Sequence, residues 1–370
     1  MSDLVKIDST SGTPGEGKAL EFVAAWMRKH SPGRIEITRS QDGAPTALLA
    51  CPESDRSDEL LLFSAHVDTV PVGNLSVWLA DPFGGVIKDG RMYGRGTSDM
   101  KSGLAAAMVA VAELLHAGAP VALAVSTGEE LGCRGANDVS TLIAGLQVNA
   151  VIVPESTHNE VVLGHRGALW LSIATSGLAA HGSTPERGKN AIAAAMNLLG
   201  RLTELPLLEH PYLGHESVNI GAIHAGTVPN IVPDRCEFQV DIRVVNANLD
   251  RLVGWWKAQD EVADVDVMLN LAAVSTDVDH VWVQSLGAPI AQKPASYFTD
   301  ASVLARNLST GTPVVIWGPG DPDLVHTTRE SVSLDALQQA LEQYIRVGIS
   351  HRTGVLPHSS FDGATDELTD

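Results

Sequence analysis

The sequence predicts an α/β protein: a large domain with a mixed, mostly parallel sheet covered by helices, and a smaller α+β domain inserted in it. Three observations carry this. Near-continuous apolar runs of strand length alternate with helical runs in the first half, which marks strands buried on both faces. The same alternation returns near the C-terminus. Between the two stretches the texture changes to alternating, half-buried strands. At 370 residues the chain is long enough for two unequal domains and a substantial core.

Glu59–Ser64 reads as the first buried strand. Lys101–Ala117 reads as an amphipathic helix closed by Gly118, then Val121–Val125 and Ala150–Val153 as further buried strands. Pro313–Trp317 repeats the strand pattern and Asp335–Val347 the helical one. In the middle, strands over Ala168–Thr175 and Cys236–Val244 flank the Ala-rich helix Asn190–Leu202. These readings divide the chain into a discontinuous larger domain, 1–166 and 276–354, an inserted domain, 167–275, and a polar, flexible tail, 355–370.

The composition narrows the function classes. An apolar fraction of 44% and a charged fraction of 19% are ordinary for a globular chain. A net charge of -19 opposes nucleic-acid binding, which needs a basic face. No apolar run is long enough to span a membrane, and Met1–Lys6 has no signal-peptide pattern. The three cysteines, Cys51, Cys133 and Cys236, form no C-x-x-C pair, so neither a disulfide framework nor a thiolate zinc site is expected; a reducing cytoplasm is.

The chemistry lies just past the strand ends. Ligands of open α/β sheets bind beyond the carboxyl ends of the strands, so side chains placed there converge. The first strand runs into His66-Val67-Asp68, the second into Glu129-Glu130, the third through Pro154 into Glu155, and the last toward His326. Asp99 sits in the Gly-rich loop Gly94–Gly103, just before a helix. Residues two apart in an extended segment share a face, so His66 can bind a metal through one ring nitrogen while Asp68 accepts from the other. Two histidines and three carboxylates suit an open catalytic zinc or cobalt site, and one ligand must bridge if two ions are held. Adjacent residues in a turn point apart, so Glu130 can bind metal while Glu129 faces the attacking water as general base.

Taken singly, each group has an ordinary explanation. His66 and Asp68 can share a structural hydrogen bond, and Glu129-Glu130 can be a solvated turn. The Gly94–Gly103 loop can be a phosphate loop, although it lacks a preceding apolar strand and carries Asp99 where phosphate would sit. The ordered recurrence of all of them after strand ends selects a metal site.

These segments resemble the M20 family of metallopeptidases and deacylases over nearly the whole chain. The resemblance is carried by Ser64–Pro71, Tyr93–Gly103, Ser126–Gly132, Pro154–Ser156 and His326. It implies that His66, Asp99 and Glu155 hold one zinc, and that Asp99, Glu130 and His326 hold the other, with Asp99 bridging. It also implies a cis peptide after Asp99. The insertion then corresponds to a lid and dimerisation domain of a homodimer. By the same resemblance His181 reaches the partner's site to stabilise an oxyanion, Asn230 contacts substrate, and Arg243 binds a substrate carboxylate. For His181 the residues alone favour a surface-loop histidine, and for Arg243 an ion pair with Asp241 is the competing role.

The chain departs from the family in two places. It begins close to the Leu4–Ser9 segment, which shortens the usual first helix, and Tyr297–Asp300 replaces a Gly-rich, hydroxyl-rich loop of the desuccinylases. The expected function is therefore a two-zinc amidohydrolase of N-acyl amino acids, similar to acetylornithine deacetylase, with cobalt as a substitute metal. A carboxypeptidase or dipeptidase, and a succinyl-diaminopimelate desuccinylase, are alternatives of the same chemistry. A non-catalytic metal- or ligand-binding protein is a third, opposed by the retained Glu129.

Overall fold

The structure is a computed structural model that describes residues 1–53 and 59–353, so the tail assigned to 355–370 lies outside the described residues. Its main sheet has six strands: β1 (Arg34–Arg39), β2 (Pro45–Cys51), β3 (Leu60–His66), β4 (Val121–Ser126), β5 (Val148–Val153) and, much later in the chain, a short strand Val314–Ile316. Their spatial order is β1-β2-β4-β3-β5 and then Val314–Ile316. β4, β3, β5 and Val314–Ile316 are parallel, while β1 and β2 form an antiparallel edge.

Alternate residues of these strands feed two separate cores, as a pleated sheet covered on both faces requires. Leu61, Phe63, Leu123 and Ile152 pack with Leu20 and Met27 of helix α1 (Pro14–His30), Leu104 and Val111 of α2 (Ser102–His116), and Tyr344 of the C-terminal helix Leu334–Thr353. Leu62, Ala124 and Val151 pack on the other face with Val139 of α3 (Ala136–Leu142) and Leu304. Helix α1 is capped by the Thr13 side chain with Pro14 in its first turn. The body of α1 carries helical periodicity, with Leu20, Val23, Ala24 and Met27 buried on one face, while its first turn holds Gly15 and Gly17. Gly15 is required there: a Cβ would lie 1.8 Å from the Asp8 carbonyl oxygen.

The second sheet is wholly antiparallel. It comprises β6 (Gly167–Ser176), β7 (Ser217–Ala225), β8 (Arg235–Val244) and β9 (Val262–Leu271), in the order β7-β8-β6-β9. Every second residue of β8, from Cys236 to Val244, is buried against α4 (Ala191–Leu199) and α5 (Asp250–Lys257), with Trp256 at the centre. The intervening residues Asp241 and Arg243 face the other way, which frees them for polar work. Among the described residues no helix is long and apolar enough to cross a membrane.

A buried imidazole marks the entry to this second sheet. His165 Nδ1–H donates to the Arg166 carbonyl at 2.9 Å, and its Nε2 accepts from the Thr299 N–H at 3.3 Å. Both bonds suit a neutral ring, and burial lowers its pKa to about 4. The unfolded chain binds this proton below about pH 6.5 and the folded chain only near 4. Stability from this group is complete above about pH 6.5 and is lost as the pH falls toward 4, to a limit of about 3 kcal/mol. Urea unfolding of metal-free protein between pH 7 and 4 is expected to show a steeper loss in the native chain than in His165→Gln; equal slopes contradict it.

Candidate metal centre and active site

The parallel strands β4, β3 and β5 end side by side, with His66 registered against Ser126. This places His66, the Glu129-Glu130 turn and Glu155 at one rim. The turn is flanked by Gly128 and Gly132 at φ 68° and 91°, a left-handed backbone that suits glycine. Asp99 is brought to the same rim by the loop before α2. Gly103 lets that helix touch the end of β5, since a Cβ there would sit 1.8 Å from the Pro154 carbonyl oxygen. His326 completes the rim from a loop after Val314–Ile316, with φ 62°.

Two triads result, sharing Asp99. His66 Nε2 lies 3.2 Å from Asp99 Oδ1 and 3.1 Å from Glu155 Oε1. His326 Nε2 lies 3.2 Å from Asp99 Oδ2 and 3.0 Å from Glu130 Oε1. Each oxygen of Asp99 therefore serves a different triad. A tetrahedral zinc with N and O ligands at about 2.0–2.2 Å leaves roughly 3.3–3.6 Å between donors, so small shifts accommodate one ion per triad. The peptide between Asp99 and Met100 is cis.

The electrostatics fit divalent cations. Burial, and then the Asp99 charge, push Glu155 up to about 7, and burial raises Glu129 well above the usual carboxylate range. Hydrogen bonds to Asp99 and Glu130 push His326 up to about 10. Burial alone would depress His66, but its bonds to Asp68, Asp99 and Glu155 outweigh that and hold its pKa well above normal. Carboxylates thus outnumber imidazoles at a buried rim, an excess of negative charge that suits the binding of divalent cations.

Asp68 meets His66 through both its main chain and its side chain. The nearest acceptor for His66 Nδ1 is the Asp68 main-chain oxygen at 3.1 Å, with the carboxylate Oδ1 at 3.4 Å. The carboxylate also serves the turn, accepting from the Glu129 and Glu130 N–H groups, each at 3.2 Å, and from the Ser11 hydroxyl at 2.7 Å. One residue therefore ties His66 to the turn that carries both glutamates.

A second tether, which no local spacing in the sequence marks, is Glu330. Its Oε1 accepts from the Ser98 and Asp99 N–H groups at 3.0 and 3.2 Å, and its Oε2 pairs with Arg95 at 2.6 Å. The Arg95 guanidinium lies 4.9 Å from the Trp78 ring centre. Glu330 thus joins the Asp99 loop to the segment beyond His326. Arg95 and Glu330 are nearly fully buried, so Glu330→Ala strands a guanidinium and is expected to cost about 3–5 kcal/mol. Chemical denaturation measures this; a loss below about 1 kcal/mol refutes the tether.

Beside the triads lies a cavity of about 360 Å³ lined by Glu129, Glu130, Arg243, Tyr297, Phe298 and His326, among others. Arg243 lines it while also pairing with Asp241 at 3.1 Å. Its guanidinium carbon lies 5.8 Å from the Phe298 ring centre, and Tyr297 donates to the Ser156 carbonyl at 2.9 Å. His181 and Asn230 are exposed neighbours outside this cavity: His181 Nδ1 lies 2.7 Å from the Ser183 hydroxyl, and the Asn230 carbonyl accepts from Gly182 N–H.

An α/β sheet rim with two histidines, three carboxylates and an adjoining free carboxylate defines a metal-dependent hydrolase of amide bonds. Residues 62–348 match the model of Peptidase family M20/M25/M40. The chain belongs to that family. It is 30% identical over 257 residues, 65% of this chain and 63% of the relative, to succinyl-diaminopimelate desuccinylase 2 of Ruegeria sp.. Its fold is that of an M20 family metallo-carboxypeptidase from Sulfolobus solfataricus (TM-score 0.73, 18% identity, 95% and 98% of the two chains). It is also that of a Bacillus subtilis protein described as a dinuclear metal-binding peptidase of the M20 family (TM-score 0.67, 15% identity, 96% and 97% covered).

Proposed function

We propose that this chain is a two-zinc deacylase of N-acyl amino acids. His66, Asp99 and Glu155 hold one ion; Asp99, Glu130 and His326 hold the other; cobalt can substitute. The observation that carries the reading is the division of labour at the turn: Glu130 lies 3.0 Å from His326, while Glu129 stays outside both triads and lines the cavity.

When bound, the two cations supply Lewis acidity, polarising the amide carbonyl and acidifying a water. Glu129 accepts the proton of the attacking water and hands it to the leaving nitrogen, so the amide C–N bond breaks as the new C–O bond forms. Asp68 holds the turn in register for both glutamates. Arg243 supplies a planar fork for the free α-carboxylate of the amino acid. Residues 167–275 act as lid and dimerisation domain of a cytoplasmic homodimer, and there His181 of the partner subunit donates to the developing oxyanion, with Asn230 steadying the substrate.

The relatives include a desuccinylase and a carboxypeptidase, so the substrate decides among close chemistries. Tyr297 and Phe298 fill space beside the centre, which favours a small acyl group over a succinyl chain. Zinc-reconstituted protein tested against N-acetyl amino acids, N-succinyl amino acids and dipeptides is expected to prefer the first. Cleavage of dipeptides alone assigns it to the peptidases, and preference for N-succinyl substrates to the desuccinylases.

A further inference from the structure

Behind the Glu129-Glu130 turn lies a second set of donors that the two triads do not use. Cys133 Sγ is 3.8 Å from Glu129 Oε1 and also faces the Asp300 carboxyl group. One ligand atom from each of Glu129, Cys133 and Asp300 lies within 4.8 Å of the other two, and all three residues are buried. The sulfur is turned onto Glu129 by a left-handed backbone at Cys133, φ 58°, a conformation that costs a non-glycine residue energy and clusters at functional sites.

Asp300 supplies the independent indication. It is 3% exposed; one oxygen accepts from the Ser126 hydroxyl, and the other, Oδ1, has no partner. Leaving a buried carboxylate oxygen unpaired is costly. The trio is backed by apolar Ala136, Leu271 and Val303, together with Phe298. A tetrahedral zinc about 2.3 Å from sulfur and about 2.1 Å from oxygen holds those atoms roughly 3.6 Å apart, close to the observed Cys133–Glu129 spacing. Thiolate with carboxylates selects a soft or borderline ion.

We propose that Glu129, Cys133 and Asp300 form an inhibitory site for a third divalent cation of the zinc or cadmium type. The ion enters from the cavity that Glu129 lines. On binding, the Cys133 thiol releases its proton to solvent and Glu129 becomes a ligand, so it no longer takes a proton from water. Binding rests on this geometry alone; the inhibition rests on the proposed role of Glu129 as base.

Cobalt(II) titration of the full-length, metal-free protein separates the sites, because neither triad contains sulfur. The near-ultraviolet sulfur-to-cobalt charge-transfer band is expected to appear only beyond two equivalents, with amide hydrolysis falling at least tenfold in parallel. Cys133→Ser is expected to lack the band and to keep its activity at the same excess. Asp300→Asn, which retains the thiol, is expected to need at least tenfold more cobalt for half the band. No band at any excess, or an unchanged cobalt requirement in Asp300→Asn, overturns the site. Equal inhibition of Cys133→Ser overturns the inhibitory role. A third-equivalent band in protein that hydrolyses no amide at two equivalents leaves the site standing and removes the hydrolase reading instead.

Discussion

Glu129→Gln is expected to lower kcat/KM by about 10²–10⁴-fold on every hydrolysed amide while leaving two metal ions bound. The amide side chain matches the carboxylate in size but cannot accept the proton that the attacking water must lose. On the rate scale the loss corresponds to about 3–5 kcal/mol of transition-state stabilisation. Substrate affinity should change little, because Arg243 rather than Glu129 is assigned to the substrate carboxylate. Steady-state kinetics with metal analysis on the same sample checks both halves. Unchanged turnover refutes the base, and loss of a metal ion makes Glu129 a ligand.

Asp99→Asn is expected to have an effect of similar size by a different route. The two Asp99 oxygens face separate histidines, each at 3.2 Å, so a neutral amide weakens both triads at once. Altering an outer partner of a ligand already costs 10–100-fold in affinity or activity, and a shared ligand should exceed about 100-fold. Dialysed Asp99→Asn is expected to retain at most one ion per chain with hydrolysis reduced in step. Retention of two ions with full activity contradicts the bridge. Far-ultraviolet circular dichroism must remain native, since the Glu330 bonds to the Ser98 and Asp99 N–H groups are main-chain contacts untouched by the substitution.

Much of this centre is legible in the sequence because parallel strands impose an order. Once Leu60–His66, Val121–Ser126 and Val148–Val153 are read as neighbours, the residues just past their ends fall at one rim, and His66, Glu129, Glu130 and Glu155 come together. Asp99 and His326 ride on loops, whose path periodicity does not encode; the sequence offers them as candidates, and only the motif resemblance assigns them to the two triads. The antiparallel edge, Arg34–Arg39 and Pro45–Cys51, escapes the sequence reading although Pro45–Cys51 is largely buried, because its apolar run is short and comes after polar residues.

The partners that stabilise the rim are less legible. Glu330 looks like an ordinary charged residue after Arg329, yet it is 1% exposed and bound to a loop 231 positions earlier in the chain. Cys133 is a lone cysteine in sequence, and only the fold sets its sulfur against Glu129. Such contacts join distant segments through single side chains, so no local spacing announces them. His181 and Asn230 lie outside the cavity of one chain, where a role across two subunits would also put them.

Anomalous diffraction at the zinc edge, from crystals grown with two equivalents of zinc per chain, tests the metal assignment most directly. Two peaks about 3.5–4 Å apart are expected on either side of Asp99, one against His66 and Glu155 and the other against Glu130 and His326. A single peak, or peaks remote from Asp99, would contradict a paired-ion centre built from these five side chains.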